Sequence, residues 1–281
     1  MAHQRSLTVG DWFRDLHPLQ QALLAGCFTW FVTAAGAALV FVTTSISRRL
    51  LDAMLGFAAG VMIAASVWSL IIPGLERSTE LDVPEWLPVT VGFLLGAFFL
   101  LAFDKLLPHL HLDEPIQAAE GLHTTWRRTT LLITAITLHN VPEGLAVGVA
   151  FGAAAELTGA EAEALLASAI TLALGIGLQN FPEGLAVAMP LRGAGMNRVR
   201  AFMYGQLSAG VEPVAAVIGA ALTLLIAPAL PYTLGFAAGA MIFVVVEELI
   251  PGSHENGHND WATLGAVGGF TVMMILDVSL G

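Results

Sequence analysis

The sequence predicts an all-α integral membrane protein, an eight-helix transmembrane bundle with inverted repeats. Three observations lead there. Of the 281 residues, 56% are hydrophobic and only 12% are charged, against about 25% charged in a soluble domain. The apolar residues gather in blocks of about twenty, the length that crosses a ~30 Å hydrocarbon core. Two motifs recur in segments that would run in opposite directions through the bilayer.

The elements follow in chain order. Segment 1–18 is mixed polar and lacks a cleavable-signal pattern, so it is read as lying outside the membrane and the first apolar block as a retained span. The eight-span domain is placed at 19–281, with spans at 19–43, 52–73, 87–107, 130–152, 165–190, 199–227, 230–250 and 261–280. Most connections are short. The longest, 108–129, holds His109, His111, Asp113, Glu114, Glu120 and His123. Cys27 is the single cysteine, which excludes an intrachain disulfide and a cysteine-based metal site. The net charge of -11 argues against nucleic acid as a partner.

Basic residues orient the chain. Arg48, Arg49, Lys105, Arg127, Arg128, Arg192, Arg198 and Arg200 follow spans 1, 3 and 5, whereas Arg5, Arg14 and Arg77 fall on the other side. Both termini are therefore expected outside, with loop 108–129 and the loop bearing His254 and His258 in the cytoplasm.

Leu55–Ile63 of span 2 matches Leu234–Ile242 of span 7 at eight of nine positions. His139–Gly148 of span 4 matches Gln179–Ala188 of span 5 at seven of ten. An odd number of crossings separates the members of each pair, so each pair is inverted. Secondary transporters are often built this way, with the substrate site at mid-membrane between the repeats. Gly56/Gly60, Gly235/Gly239 and Gly144/Gly148 are small-residue helix contacts. Close packing accounts for those glycines but not for a repeated Pro-Glu in mid-span.

Glu143, Glu183 and Glu212 each lie deep in an apolar span. A charged side chain there costs about 2.5–3.5 kcal/mol on insertion scales, and no Lys or Arg lies deep enough to pair with them. A bound cation answers the charge most directly. His139 and Asn140 share a helix face with Glu143, and Asn180 shares one with Glu183. Pro142 and Pro182 free the carbonyls of Leu138 and Leu178. Met62 lies at similar depth in span 2. Imidazole with carboxylate suits zinc, iron, nickel or copper, whereas calcium and magnesium favour all-oxygen cages.

At these residues the sequence resembles the ZIP (Zrt/Irt-like) family of divalent metal transporters, in its bacterial branch and the related animal branch. The paired motifs His139-Asn140-Val141-Pro142-Glu143-Gly144 and Gln179-Asn180-Phe181-Pro182-Glu183-Gly184 carry the likeness. The resemblance implies a homodimer of eight-helix chains in a bacterial inner membrane, moving metal into the cytoplasm. It implies one metal on Met62, His139, Glu143 and Glu183, and a second on Asn140, Asn180 and Glu212, bridged by Glu143 and Glu183. It also implies an elevator-like sliding of spans 1, 4, 5 and 6 against spans 2, 3, 7 and 8. Gln179 and Asn180 stand where some relatives carry His and an acid. Zinc is the expected substrate, with Fe2+, Mn2+ and Cd2+ as alternatives, and no organic cofactor is expected.

Glu76 and Asp277 are candidates for the entrance, and Glu247, Glu248, His254 and His258 for the exit. Two rivals remain. A proton-coupled carrier of another solute would use the glutamates as relays. An intramembrane metalloprotease would need a His-Glu-x-x-His helix, which the sequence lacks.

Overall fold

The computed structural model describes residues 9–43, 45–110, 117, 120–122, 124, 128–193, 195–226, 229–255 and 257–280. His111, Asp113, Glu114, His123, Arg5 and Arg127 lie outside the described residues. Seven helices among the described residues are long and apolar enough to cross a membrane: α1 (Pro18–Phe41), α2 (Arg48–Ser78), α3 (Trp86–Leu106), α5 (Ala160–Gly193), α6 (Arg198–Leu225), α7 (Leu230–His254) and α8 (Asn259–Leu280). Between α3 and α5 runs α4 (Arg128–Ala155), whose 28 residues cover about 42 Å at 1.5 Å per residue. The order and number of the long helices match the predicted spans.

Their starts are set locally. His17 accepts from the Leu19 amide while the Gln20 side chain accepts from the His17 amide, which fixes the start of α1. Ser47 caps α2 and Asn197 caps α6, each accepting an amide three residues on. Helices α2 and α5 run well past the predicted limits of 52–73 and 165–190. Their extra turns are polar, so an apolar window does not register them. In α5, Glu161 and Glu163 sit in the first turn and Arg192 in the last, each sign complementing the helix dipole.

The helices interlock in pairs. On α2 a Cβ added at Gly56 or Gly60 would strike the carbonyls of Ala262 and Ala266 on α8; at Gly265 or Gly269 of α8 it would strike those of Ala53 and Phe57. Helices α3 and α7 repeat the arrangement: Gly92 and Gly96 abut Tyr232 and Phe236, and Gly235 and Gly239 abut Val89 and Phe93. The inverted repeat thus extends to a glycine pair on α3 and another on α8 that sequence matching alone did not single out. Helix α1 packs on α5 through Gly36 and Gly184, and α4 on α6 through Gly144, Gly148 and Gly219. Two bundles result, α1/α4/α5/α6 and α2/α3/α7/α8, which meet along α2–α5 and α4–α7.

Three helices depart from α geometry near prolines. Residues Ser66–Ile71 of α2 and Val245–Leu249 of α7 form wide π turns, each followed by an Ile-Pro-Gly step. Pro73 and Pro251 have no amide hydrogen to donate, and the wide turns absorb the lost bond. In α6 a tight 3-10 turn, Ser208–Val211, precedes Glu212-Pro213.

Gly269 and Gly268 provide a matched test of the backbone contact. Gly269 faces the Phe57 backbone, whereas a Cβ at Gly268 would meet nothing within 4 Å. Gly269→Leu is expected to cost about 3 kcal/mol by overpacking, and Gly268→Leu to leave stability nearly unchanged. Thermal denaturation of the two purified variants in detergent measures the difference.

Candidate metal centre

The centre lies within one bundle. Its groups come from the middle of α4 (His139, Asn140, Glu143), from α5 (Gln179, Asn180, Glu183) and from the 3-10 break of α6 (Glu212). Glu143, Glu183 and Glu212 are 1%, 7% and 0% exposed, and Asn140, Gln179 and Asn180 are fully buried. Glu143 lies within electrostatic reach of both other carboxylates. The structure brings the predicted Glu and Asn residues of α4, α5 and α6 together.

Neutral amides hold the acids. Asn140 Nδ2 donates to Glu183 Oε1 at 2.9 Å. Asn180 Nδ2 donates to both oxygens of Glu212 at 2.9 and 3.0 Å, and to the Thr29 carbonyl of α1 at 3.3 Å. Gln179 Nε2 donates to Asn180 Oδ1, and its amide also faces Glu143. Glu143 Oε2 and Gln179 Oε1 are buried with no hydrogen-bond partner. A buried carboxylate oxygen left in that state is costly, and a cation beside it would supply what is missing.

His139 lies beside this cluster, since its partner Glu248 is within electrostatic reach of Glu183. Its Nε2 pairs with Glu248 Oε1 on the π turn of α7, so the pair joins the two bundles. Met62, on α2, is fully buried in the main apolar core.

The candidates for entrance and exit are dispersed. Glu76 is exposed near the end of α2. Asp277 is buried on α8, with both oxygens accepting from Ser69 Oγ at 2.9 and 3.0 Å. Ser69 lies in the π turn of α2, just as Glu248 lies in that of α7. Glu247 is exposed beside Glu248. His254 is exposed, with Nδ1 2.9 Å from the Ile250 carbonyl. His258 Nδ1 lies 2.9 Å from Oδ2 of Asp52, a fully buried acid at the start of α2.

Sequence reasoning did not single out Thr29, Asp52, Ser69 or Asp104. It treated His109 as one of several loop histidines. The structure buries His109 completely and sets its Nε2 3.1 Å from Asp104 Oδ1. Asp104, His109 and Glu120 can each offer a ligand atom within 4.8 Å of the others. Lys105 Nζ also bridges Asp104 and Glu120, at 2.9 and 3.1 Å. A two-way backbone bridge between His109 and Glu120 fixes the fold of this corner; only that long-range pairing, invisible in local sequence, brings Glu120 to Asp104.

Fold and centre together define a class: a polytopic helical membrane protein with carboxylates and amides gathered in its interior. The family model described as ZIP zinc transporter matches residues 111–277. Human zinc transporter ZIP11 is 44% identical, the alignment covering 93% of this chain and 97% of that protein. Zinc transporter ZIPB of Bordetella bronchiseptica is 41% identical, over 92% and 81%. Zinc transporter GufA of Myxococcus xanthus is 40% identical, over 94% and 98%. The chain belongs to the ZIP family, and is accordingly an integral membrane transporter rather than an enzyme.

The Asn140–Glu183 bond can be tested apart from transport. Asn140→Leu is expected to lower the stability of the metal-free protein by about 2 kcal/mol, because a hydrogen bond to a charged group is lost and Glu183 is left unmet. Thermal melting in chelator-containing buffer measures it.

Proposed function

We propose that this protein carries divalent transition metal, zinc foremost, across the membrane into the cytoplasm. The observation that carries the reading is the convergence of Glu143, Glu183 and Glu212 in one buried place, with an unpartnered oxygen on Glu143. The names of the ZIP11, ZIPB and GufA relatives support zinc. Fe2+, Mn2+ and Cd2+ suit the same donors. The ion itself is the substrate, and the reading calls for no organic cofactor.

In this reading the ion is drawn in past Glu76 and Asp277, sheds water, and is held by Glu143 and Glu183 with His139 and Met62. Asn140, Asn180 and Glu212 stand immediately behind. Release runs past Glu248 and Glu247 toward His258, His254 and loop 108–129. The three carboxylates ride on α4, α5 and α6, while Met62 and Glu248 belong to the other bundle, which suits a site carried by one bundle past another. The working unit is a homodimer in a bacterial inner membrane, with segment 1–18 and both termini outside.

The rival of a proton-coupled organic carrier is addressed by the same assay. Purified protein in liposomes containing a zinc-sensitive dye should take up zinc, and Glu143→Ala or Glu183→Ala should lower the rate at least about tenfold, since even outer ligands cost 10–100-fold. Normal uptake in both variants would reject the site. Lowering the pH on the zinc-supplying side should slow uptake, because carboxylate and imidazole must shed protons to bind metal. A rate rising with acidity under saturating zinc would favour proton relay instead.

A further inference from the structure

We propose that in this chain the second metal position is filled by the protein's own amides, so that the transport site holds one divalent ion per chain. This deepens the reading above and rests on it.

The geometry settles which way Asn180 faces. One end of its amide meets three acceptor oxygens: Glu212 Oε1 at 2.9 Å, Glu212 Oε2 at 3.0 Å and the Thr29 carbonyl at 3.3 Å. An oxygen there would face three others, so that end is the nitrogen. The remaining end, Oδ1, is the atom through which an asparagine side chain binds a metal. It already accepts from Gln179 Nε2. Gln179 is itself fully buried, which strengthens that bond by lowering the local dielectric. Asn140 likewise turns its nitrogen toward a carboxylate, that of Glu183.

Asn180 thus places N–H donors against both oxygens of Glu212, where a second cation would otherwise bind. Charge agrees. The centre offers Glu143, Glu183 and Glu212, and a first divalent ion takes up most of their charge. A second ion would find too few anions in a medium where an unbalanced charge is expensive. An aspartate at position 180 would supply the missing one. Glu143 Oε2, a carboxylate oxygen without a hydrogen-bond partner, stays open to the one ion. Gln179 and Asn180 are positioning residues in this account: Gln179 locks the Asn180 amide, and Asn180 holds Glu212.

The test counts zinc on the purified full chain in detergent, by equilibrium dialysis and elemental analysis. Zinc bound by a Glu143→Ala/Glu183→Ala double variant is subtracted, which removes ions held elsewhere, including around Asp104, His109 and Glu120. Wild type should hold one zinc, Glu212→Gln should still hold one, and Asn180→Asp should double the count to two. Two ions on wild type, falling to one in Glu212→Gln, would overturn the proposal, as would a count in Asn180→Asp that stays at one. If Asn180→Asp does not fold, the comparison of wild type with Glu212→Gln decides. No zinc above the double variant would overturn the transport site itself, a failure distinct from a count of two.

Discussion

Three carboxylates share one buried place inside a bundle whose described arginines sit near helix ends. Mutual repulsion and desolvation both oppose that arrangement, and neighbouring features answer it. Asparagine and glutamine, neutral and rich in donors, surround the acids where lysine or arginine would have competed with an arriving ion. Prolines beside Glu143, Glu183 and Glu212 interrupt helical hydrogen bonding, leaving polar backbone in a region otherwise built of Ala, Gly and Leu.

The bundles around it differ in kind of contact. Within each, glycines let backbones touch, and such contacts are rigid because no side chain can rearrange. Between them, contact includes the His139–Glu248 pair, which can break and reform. The pseudo-twofold places a π turn at corresponding points of α2 and α7, and each presents a polar residue to a partner helix: Ser69 to Asp277 and Glu248 to His139. Symmetry of backbone has been kept where symmetry of chemistry has not, since one pair contains an imidazole and the other does not.

Much of this was legible in the sequence. Span number followed from apolar block length, and the Glu and Asn members of the centre from helical spacing around two Pro-Glu steps. What escaped depended on pairing across distance. Nothing local ties Glu248 to His139 or Asp52 to His258, more than a hundred residues apart in each case. His109 reads as a polar loop residue, and its burial beside Asp104 and backbone bridge to Glu120 appear only in the fold. The orientation of the Asn180 amide is likewise a tertiary fact, decided by Thr29 and Glu212 on two other helices. The polar ends of α2 and α5 escaped for a different reason: hydropathy marks where hydrocarbon stops, and a helix need not stop there.

The path of the chain through the two bundles carries a mechanical consequence. The polypeptide changes bundle three times, after α1, after α3 and after α6. Only four residues, 226–229, join the end of α6 to the start of α7. Fully drawn out, the five steps from Leu225 to Leu230 reach about 18 Å at ~3.5 Å each. Any travel of one bundle along the other is therefore on a leash whose shortest cord is this link, and lengthening the other two crossings would not lengthen the stroke.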